Sequence, residues 1–137
     1  MIAATDIAWL SGILDGEGCV TAQQNSIRSL SFRVTIESVS AAMIDKVCDV
    51  LRQAGVEYRT EGPMWRERST RPSHRVRVDK KQAVYQLCNL VLPYSVVKKA
   101  ELALIKSYLD KSIKAYYSAT EKDLEILASL RELKKVA

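Results

Sequence analysis

Hydrophobic residues follow two different periods along the chain. Between Leu30 and Ile36 every second residue is apolar, which predicts a strand with one apolar and one polar face. Residues 41–54 instead repeat their apolar side chains at the spacing of one side of a helix. Ser40 precedes this segment and Gly55 follows it, so the predicted helix begins after the serine and ends at the glycine.

The remaining elements are predicted from the same two periods and from residues typical of helix ends. A first helix is expected over about residues 5–15, with Thr5 as its cap. Asp79 and Gln82 resemble a capping box at the start of a third helix, and Ser95 is expected to cap a fourth. Further strands are predicted at about 19–25, 56–61 and 74–78, the fourth helix at about 96–116, and a fifth helix beginning at Thr120 with Asp123.

The predicted order is helix, strand, strand, helix, strand, strand, helix, followed by two more helices. Two hairpins separated by helices favour a four-stranded antiparallel sheet with its helices on one face. The fold class is therefore α/β of the α+β kind, with the order αββαββα and additional C-terminal helices. At 137 residues the chain is long enough for one domain and short for two, so residues 1–137 are interpreted as a single domain.

The polar positions of the predicted strands should share one face of this sheet. Arginine pairs well with guanine, and glutamine or asparagine with adenine, so such a face is suited to reading base edges in the major groove. An antiparallel sheet can also leave a polar face in water, and both interpretations stay open. The candidate DNA-binding residues on the strands and adjoining loops are Thr21, Gln23, Asn25, Arg28, Arg33, Thr35, Arg59, Arg66, Arg68, Arg75 and Arg77.

Composition and charge narrow the functional classes. Hydrophobic residues make up 47% of the chain and charged residues 27%, as in an ordinary globular protein. The net charge is +5, and residues 59–81 alone hold eight basic and three acidic side chains, an excess that equals the whole net charge. A local excess of arginine indicates contact with phosphates or bases, with a solvated hairpin as the alternative.

Cysteine usage and the N-terminal residues indicate the compartment. Cys19, Cys48 and Cys88 lie far apart and the only histidine is His74, which nearly excludes a Cys/His zinc site. Three buried thiols in a reducing compartment are expected. Asp6 interrupts the apolar N-terminal stretch and no basic segment precedes it, so neither a signal peptide nor a membrane span is expected. An intracellular protein is predicted, in a bacterium, a phage-infected cell or an organelle.

The segment Leu10 to Gly18 reads LSGILDGEG and combines small residues with two acids. A glycine inside a helix costs about 1 kcal/mol relative to alanine, which is tolerated where another backbone approaches closely. Asp15 and Glu17 stand at the helix C-terminus, where acids oppose the helix dipole. If two such helices pair, their acids meet and repel unless a divalent cation such as Mg²⁺ lies among them. Solvated acids after a glycine-terminated helix are the alternative.

This segment resembles the LAGLIDADG signature of homing endonucleases. It matches the signature outright at Leu10, Gly12, Asp15 and Gly18, and the order of predicted elements is also that of the family. LPYSVVKKAEL, from Leu92 to Leu102, is similar to the segment that carries the family's basic residue near the scissile phosphate. The resemblance covers roughly residues 5–110. No second copy of the motif is present, as in the family members that act as homodimers.

The resemblance implies a site-specific double-strand DNA endonuclease with a long, roughly palindromic target. A non-cleaving DNA- or RNA-binding scaffold, such as an intron maturase or a regulator, is the alternative. The family's second motif acid binds a divalent metal, expected as Mg²⁺ with Mn²⁺ or Ca²⁺ able to replace it in binding. The implied catalytic residues are Glu17, Lys98 and Glu37, the metal-binding residues Glu17, Gly16 and Asp15, and the residues of the homodimer interface Ala8, Ser11, Gly12 and Asp15.

Some of these positions depart from the family pattern or allow two interpretations. Glu17 replaces the commoner aspartate and retains a carboxylate for metal. Where the family often places glutamine and a basic residue, this chain has Ile36, Glu37 and Ser40, and the alternation puts Glu37 on the polar face. Asp15 either supports the helix end or binds metal. Lys99 is the alternative to Lys98, and solvated lysines in the first turn of a helix are the other interpretation of both.

Overall fold

A computed structural model describes residues 2–26, 29–114 and 119–136 of the chain. The elements follow the predicted αββαββα order, with two helices added at the C-terminal side. Their bounds are α1 Ala4–Glu17, β1 Gly18–Ser26, β2 Ser29–Ser38, α2 Ala41–Gln53, β3 Arg59–Met64, β4 Ser73–Val78, α3 Lys81–Val91, a 3₁₀ turn Leu92–Tyr94, α4 Lys99–Lys114 and α5 Glu121–Val136.

The four strands form one antiparallel sheet in the order β1-β2-β4-β3. In β2, Val34 pairs with Val78 of β4, and Ile36 pairs with both Gly18 of β1 and Val76 of β4. These valines and Ile36 are at most 5% exposed, so the apolar positions of neighbouring strands lie on the same face. The predicted alternation, the sheet and the fold class are confirmed.

The helices cover the apolar face of the sheet. Leu10 and Leu14 of α1 and Leu51 of α2 are at most 2% exposed and belong to the same core as the strand valines. On α4, the ring of Tyr108 meets that of Phe32 edge to face at 5.5 Å, and its hydroxyl accepts the Leu30 N–H at 3.4 Å. These contacts fix α4 against β2. Within the described residues, no helix is long and apolar enough to cross a membrane.

Two predicted helix caps are confirmed. The Ser40 hydroxyl accepts the Met43 N–H at 3.2 Å at the start of α2. Before α5, the Thr120 hydroxyl accepts the Asp123 N–H at 3.3 Å, and the Asp123 carboxylate accepts the Thr120 N–H at 3.0 Å. This reciprocal pair is a capping box that satisfies amides left free at the helix start.

Three predicted helix starts are wrong, and β3 is shifted. Thr5 lies inside α1, whose cap position is Ala3, and the residue before α3 is Lys80 because the Asp79 carboxylate pairs with arginines of the sheet. Ser95 does not cap α4, because its hydroxyl donates to the Val91 carbonyl at 3.0 Å and α4 begins only at Lys99. β3 spans residues 59–64 instead of 56–61, because Val56 packs into the core ahead of the strand.

The three cysteines differ in their surroundings. Cys48 and Cys88 are buried, as predicted, and burial raises the pKa of Cys88 to about 12. Cys19 is exposed, so the prediction of three buried thiols is wrong at this position. Its neighbour across the sheet is Thr35, which places Cys19 on the polar face.

Candidate active site and nucleic-acid interface

Helix α1 passes directly into β1, and Gly18 makes this connection possible. Its N–H donates to the Leu14 carbonyl, and a Cβ on this glycine would lie only 2.5 Å from the same oxygen. No residue with a side chain fits here without a shift of the backbone. Glu17 is therefore held as the last residue of the helix, immediately before the sheet begins.

Glu17 carries a carboxylate without a partner among the residues that the structure describes. The residue is exposed, the last turn of α1 has no basic residue, and the side chain has no hydrogen bond or ion pair with any part of the chain that the structure describes. An acid at a helix C-terminus is unfavourable because it faces the negative end of the dipole. This arrangement leaves both carboxylate oxygens available to a cation from solution.

Asp15 lies two residues before Glu17 and has a different environment. Its Oδ2 accepts the Val96 N–H at 2.9 Å and its Oδ1 accepts the Lys98 N–H at 3.0 Å. The Lys98 ammonium returns to the same residue and donates to the Asp15 carbonyl at 3.4 Å. Asp15 thus fastens the segment before α4 to the end of α1. The structure brings Lys98 to the predicted site, whereas Lys99 is exposed.

The donors at the end of α1 determine what metal site one chain can form. Both Asp15 oxygens are committed to backbone amides, which favours the supporting interpretation of this residue over metal binding. Gly16 is exposed and contributes only a backbone carbonyl. No group of three or more His, Cys, Asp or Glu side chains suited to a metal occurs among the residues described. A single chain therefore offers hard oxygen ligands of the kind Mg²⁺ prefers, but few of them.

The exposed face of α1 differs from the predicted one. Ser11 is fully buried, donates to the Val91 carbonyl at 3.3 Å and lies 3.2 Å from the Ser95 hydroxyl, so its assignment to the dimer interface is wrong. Gly12 and Gly16 are exposed, and a Cβ on either would meet nothing within 4 Å. Ala8, Gly12 and Gly16 are spaced by four residues and form one helix face. Asp15 bonds with its own chain and is half-buried.

The polar face of the sheet unites most of the predicted DNA-binding residues. Thr21 pairs with Arg33, and Arg77 pairs with both Thr35 and Arg59, so these side chains share the face opposite the core. Gln23 and Asn25 continue the face along β1 and are exposed, whereas Arg28 lies outside the described residues. A concave region of about 510 Å³ on this face is lined by Thr21, Gln23, Arg33 and Arg59, among others.

Four arginines and three acids alternate across β2, β3, β4, the loop after β3 and the residue that follows β4. We refer to these seven residues as the arginine–acid ladder. Each acid lies between two arginines within ion-pair distance. The pairs are Arg66–Glu37 at 2.6 Å, Glu37–Arg75 at 2.9 Å, Arg75–Glu61 at 3.9 Å, Glu61–Arg77 at 3.3 Å, Arg77–Asp79 at 3.1 Å, and Asp79–Arg59.

Glu37 is the most heavily bonded acid of the ladder. Its carboxylate accepts from Arg66 at 2.6 and 3.2 Å, from Arg75 at 2.9 and 3.1 Å, and from the Ser73 hydroxyl at 3.1 Å. The hydrogen bonds from Arg66, with those from Arg75 and Ser73, lower the pKa of Glu37 from 4.5 to about 2 despite desolvation. The carboxylate thus holds arginines, and the structure does not bring it into contact with Glu17. Ile36 is buried, as predicted, and Ser40 caps α2.

Sequence reasoning did not identify Glu61 and Asp79 as members of the site. Asp79 follows Arg75 and Arg77 at a spacing of two, and this spacing was a signal that it shares their face. The position of Glu61 depended on the register of β3, which pairs it with Arg75. That register is set by contacts between strands and is not visible in β3 alone.

The loop between β3 and β4 carries an exposed aromatic residue and a strained arginine. Trp65 is 68% exposed, so it does not pack in the core. The Ser69 N–H donates to the Arg66 carbonyl at 3.0 Å, which closes a turn with Arg68 at its third position. Arg68 has a φ of 67°, in the left-handed region that favours glycine. Arg66 and Arg68 are both exposed on this loop.

Comparison with known proteins identifies a family whose model matches this chain. The family model described as a LAGLIDADG-like domain matches residues 4–88, which contain α1 and the whole sheet. No curated protein sequence matches the chain.

Several solved homing endonucleases have a similar fold. I-CvuI in complex with its target in the presence of Ca is 18% identical, with a TM-score of 0.65 over 98% of this chain and 83% of that one. The archaeal intron-encoded enzyme I-Vdi141I complexed with DNA is 15% identical, with a TM-score of 0.67 over 97% and 84%. I-TnaI is 16% identical, with a TM-score of 0.64 over 94% and 93%.

Proposed function

The chain belongs to the LAGLIDADG-like domain family, and from this premise we propose that it is a homing endonuclease that cuts both strands of DNA as a homodimer with a divalent metal. The observation that carries the proposal is the Glu17 carboxylate, which is exposed and unpartnered among the described residues at the end of the motif helix. The Lys98 ammonium donates to the Asp15 carbonyl two residues earlier, and the arginine-bearing sheet face begins directly after Glu17. We take residues 1–137 as one endonuclease domain.

Two features of α1 support a homodimer. The helix is apolar around most of its circumference, and a helix of that kind is normally covered on more than one side. Its Ala8, Gly12 and Gly16 face has open space in front of both glycines, so the backbone of a second α1 could approach closely. A two-fold axis between the helices would bring two copies of Glu17 together and would suit a roughly palindromic target.

The residues at the end of α1 fit a divalent cation shared between two copies. Each copy supplies the Glu17 carboxylate and the nearby backbone carbonyl of Gly16, and such oxygens together with water and phosphate are the ligands of Mg²⁺. A cation held there supplies Lewis-acid stabilisation of the charge that develops on the phosphate oxygens. The neighbour I-CvuI has been solved with DNA in the presence of Ca and of Mg.

Lys98 and Asp15 have complementary roles in this proposal. The Lys98 ammonium is held near the end of α1, where it can donate to a phosphate oxygen and stabilise negative charge. Asp15 acts through Lys98 as a positioning residue, because it binds the backbone amides of Val96 and Lys98. Glu37 is left without a catalytic role, since its carboxylate is bonded to Arg66, Ser73 and Arg75.

The polar sheet face is proposed to read the target. The exposed side chains of β1 offer both donors and acceptors, and the arginines of β3 and β4 can meet guanine edges in the major groove. Arg66 and Arg68 extend this surface along the loop after β3. Arg68 maintains a backbone conformation that costs free energy, and such strain in a charged surface loop points to a functional requirement.

The direct test uses DNA that carries the insertion site of the genetic element that encodes this chain. Removing that element rejoins the flanking sequences and restores the site. The purified chain with Mg²⁺ should cut both strands at the rejoined site, and chelation of the metal should stop cleavage without abolishing binding. Sedimentation at micromolar concentration should show a dimer. A monomer that neither binds nor cuts this DNA would contradict the proposal.

A DNA-binding scaffold that does not cleave is the second candidate. It is favoured by one observation, which is that the strand end near Glu17 presents Glu37, already bonded to arginines, in place of a free polar group. Tight binding of the rejoined site with no cleavage in Mg²⁺ or Mn²⁺ would support this candidate against the enzyme.

A further inference from the structure

We propose that the acids of the arginine–acid ladder, Glu37, Glu61 and Asp79, control how strictly the sheet face discriminates among DNA sequences. In this proposal the acids compete with DNA for the arginines, so that random sequences bind poorly and the correct sequence is distinguished more sharply. The inference rests on the proposed DNA binding by this face. It gives the acids a positive function in recognition, although they carry the same charge as DNA.

Exposure differs between the centre and the ends of the ladder. The side chains of Arg75 and Arg77, in the centre, are 26% and 20% exposed. Those of Arg66 and Arg59, at the ends, are 52% and 61% exposed. Each central arginine lies between two acids, whereas each terminal arginine contacts one. The two terminal arginines can therefore contact DNA in their present conformation. The two central arginines must exchange their carboxylate partners for DNA or share them with it.

The chemistry of the competing ligands makes this exchange selective. A phosphate offers a central arginine little that a carboxylate does not already provide, and the released carboxylate would then face the DNA backbone unpaired. Guanine instead presents two acceptors in a fixed geometry, and cytosine presents an amino group that an acid can accept from. A sequence with these groups in the right places relieves the repulsion, and other sequences do not.

Within the ladder, the pair of Glu61 and Arg77 is the least completely bonded. The Glu61 Oε1 and Arg77 Nε atoms are buried and have no hydrogen bond, although their side chains approach to 3.3 Å as an ion pair. Glu37, by contrast, accepts well-aligned bonds from two arginines. Glu61 is therefore the acid whose contacts DNA can reorganise most readily, and the acid to change first.

The experiment compares Glu61→Gln with Glu57→Gln as a matched control. Glu57 also forms an ion pair, at 2.9 Å with Lys80, but both side chains are more than 60% exposed and lie outside the ladder. The probes are a fixed mixed-sequence duplex, titrated at several salt concentrations, and a randomised duplex library taken through rounds of selection. Thermal unfolding of each variant verifies the fold.

We expect Glu61→Gln to bind the mixed-sequence duplex up to about tenfold more tightly near 0.1 M salt, with a salt slope steeper by about one, because a freed arginine neutralises one more phosphate. Its selected library should be less restricted at the positions opposite Arg75 and Arg77. Glu57→Gln should change both readouts by no more than about twofold. Glu61→Asp, which retains the charge, should preserve most of the discrimination.

Two outcomes would overturn the inference and are distinguishable from failure of the proposed function. Equal effects of Glu61→Gln and Glu57→Gln would show that only net charge matters. Unchanged library selection in both Glu61→Gln and Glu37→Gln, with the wild type still selecting a defined sequence, would remove the acids from recognition. A merely structural role would weaken binding to every duplex, which is the opposite of the expected direction. A wild type that binds no duplex would overturn both proposals.

Discussion

Glu17 precedes Gly18 and Glu37 follows Ile36, two residues that pair in the sheet, yet the surroundings of the two acids are opposite. Glu17 is exposed at the negative end of a helix dipole and has no cation from the described part of its own chain. Glu37 is held by two guanidinium groups and a hydroxyl, and its pKa falls to about 2. Two carboxylates next to the same pair of the sheet thus differ in whether their own chain supplies a positive charge.

The difference indicates how this fold separates chemistry from recognition. A carboxylate that its chain leaves unpaired is destabilising until a cation arrives, and it is therefore suited to binding a metal. A carboxylate that is saturated by arginines contributes to the stability of the chain and orients those arginines. If this comparison holds, changes at Glu17 should affect cleavage and leave stability intact, whereas changes at Glu37 should lower stability above about pH 4.5 and alter DNA selection.

The largest expected effect is the loss of cleavage in Glu17→Gln. Removing a metal-binding carboxylate should slow cleavage about a thousandfold or more, since such a cation supplies several kcal/mol of stabilisation to the transition state. The free energy of unfolding should stay unchanged or rise by about 0.3–1 kcal/mol, because an acid is removed from a helix C-terminus. Cleavage assays with Mg²⁺ and urea titrations measure the two quantities.

Glu57→Gln provides the control, because it also removes one exposed acid, far from the motif in sequence. It should retain cleavage within about twofold of the wild type, on the expectation that surface substitutions have small effects. Undiminished cleavage by Glu17→Gln would end the metal-binding assignment. A large loss of stability in that variant would instead mean that Glu17, like Glu37, contributes to the stability of the chain.

Asp15 provides a test at an acid whose carboxylate accepts hydrogen bonds from backbone amides. Asp15→Ala should lower the free energy of unfolding by about 1–3 kcal/mol, because the Val96 and Lys98 amides lose their acceptors. Cleavage should also fall, since Lys98 is no longer positioned. Asp6→Ala is the matched change at the other end of α1, where Asp6 forms one ion pair with the described residues, a long one of 3.9 Å to Lys46.

We expect Asp6→Ala to lower the free energy of unfolding by less than about 1 kcal/mol, because it removes only a surface ion pair and an acid from the first turn of α1. Urea unfolding of the two variants gives the comparison, and metal binding by Asp15→Ala followed by calorimetry gives a second readout. If Asp15→Ala lost metal binding while stability and the Lys98 segment were unaffected, Asp15 would be a ligand after all.

The fold could be predicted because its signals are local. The alternation in β2 and the helical period after Ser40 are each contained in one segment, and so are the caps at Ser40 and at Thr120 with Asp123. The predicted roles of Asp79 and Ser95 were wrong because their oxygens are bound by distant residues, Arg59 and Ser11 among them. A local pattern does not contain such partners.

The motif that forms the site could be predicted, but the side of α1 that faces away from the rest of the chain could not. The motif indicated that small residues and acids occur together, and the structure brings Asp15 and Lys98 into contact across 83 residues. The motif did not indicate which side of α1 the rest of the chain covers, so Ser11 was assigned to the exposed face in place of Gly16. That side is fixed by Val91 and Ser95, which lie far along the sequence.

The saturated acid should reveal itself through the pH dependence of stability. Glu37 binds its proton more weakly in the folded chain, so acidification favours the unfolded state once the pH falls below about 4.5. The stabilisation is complete above that pH and is lost as the pH approaches 2. It amounts to about 1–2 kcal/mol after allowance for the partial exposure of the carboxylate.

Urea unfolding at pH 6 and pH 3 measures this difference. The wild type should lose more stability between these pH values than Glu37→Gln does, by about 1 kcal/mol, because part of the stabilisation is still present at pH 3. If the wild type and Glu37→Gln lost the same stability between these pH values, the arginines would not hold Glu37 in solution. The contrast between Glu37 and Glu17 would then be wrong.

The smallest effect is expected at Arg68, in the loop that Glu37 anchors through Arg66. Arg68→Gly should raise the free energy of unfolding by about 0.5–1 kcal/mol, because glycine adopts a φ of 67° without a clash. Arg71→Gly is the control in the same loop, and it should be neutral or slightly destabilising, since glycine there only adds freedom to the unfolded chain. Both variants lose one positive charge, so both should weaken binding to DNA.

If Arg68→Gly binds DNA more weakly and is also more stable than the wild type, while Arg71→Gly is not more stable, the strained arginine is retained for DNA and not for the fold. A destabilised Arg68→Gly would instead mean that its side chain supports the loop, and the recognition surface would then begin at Arg66.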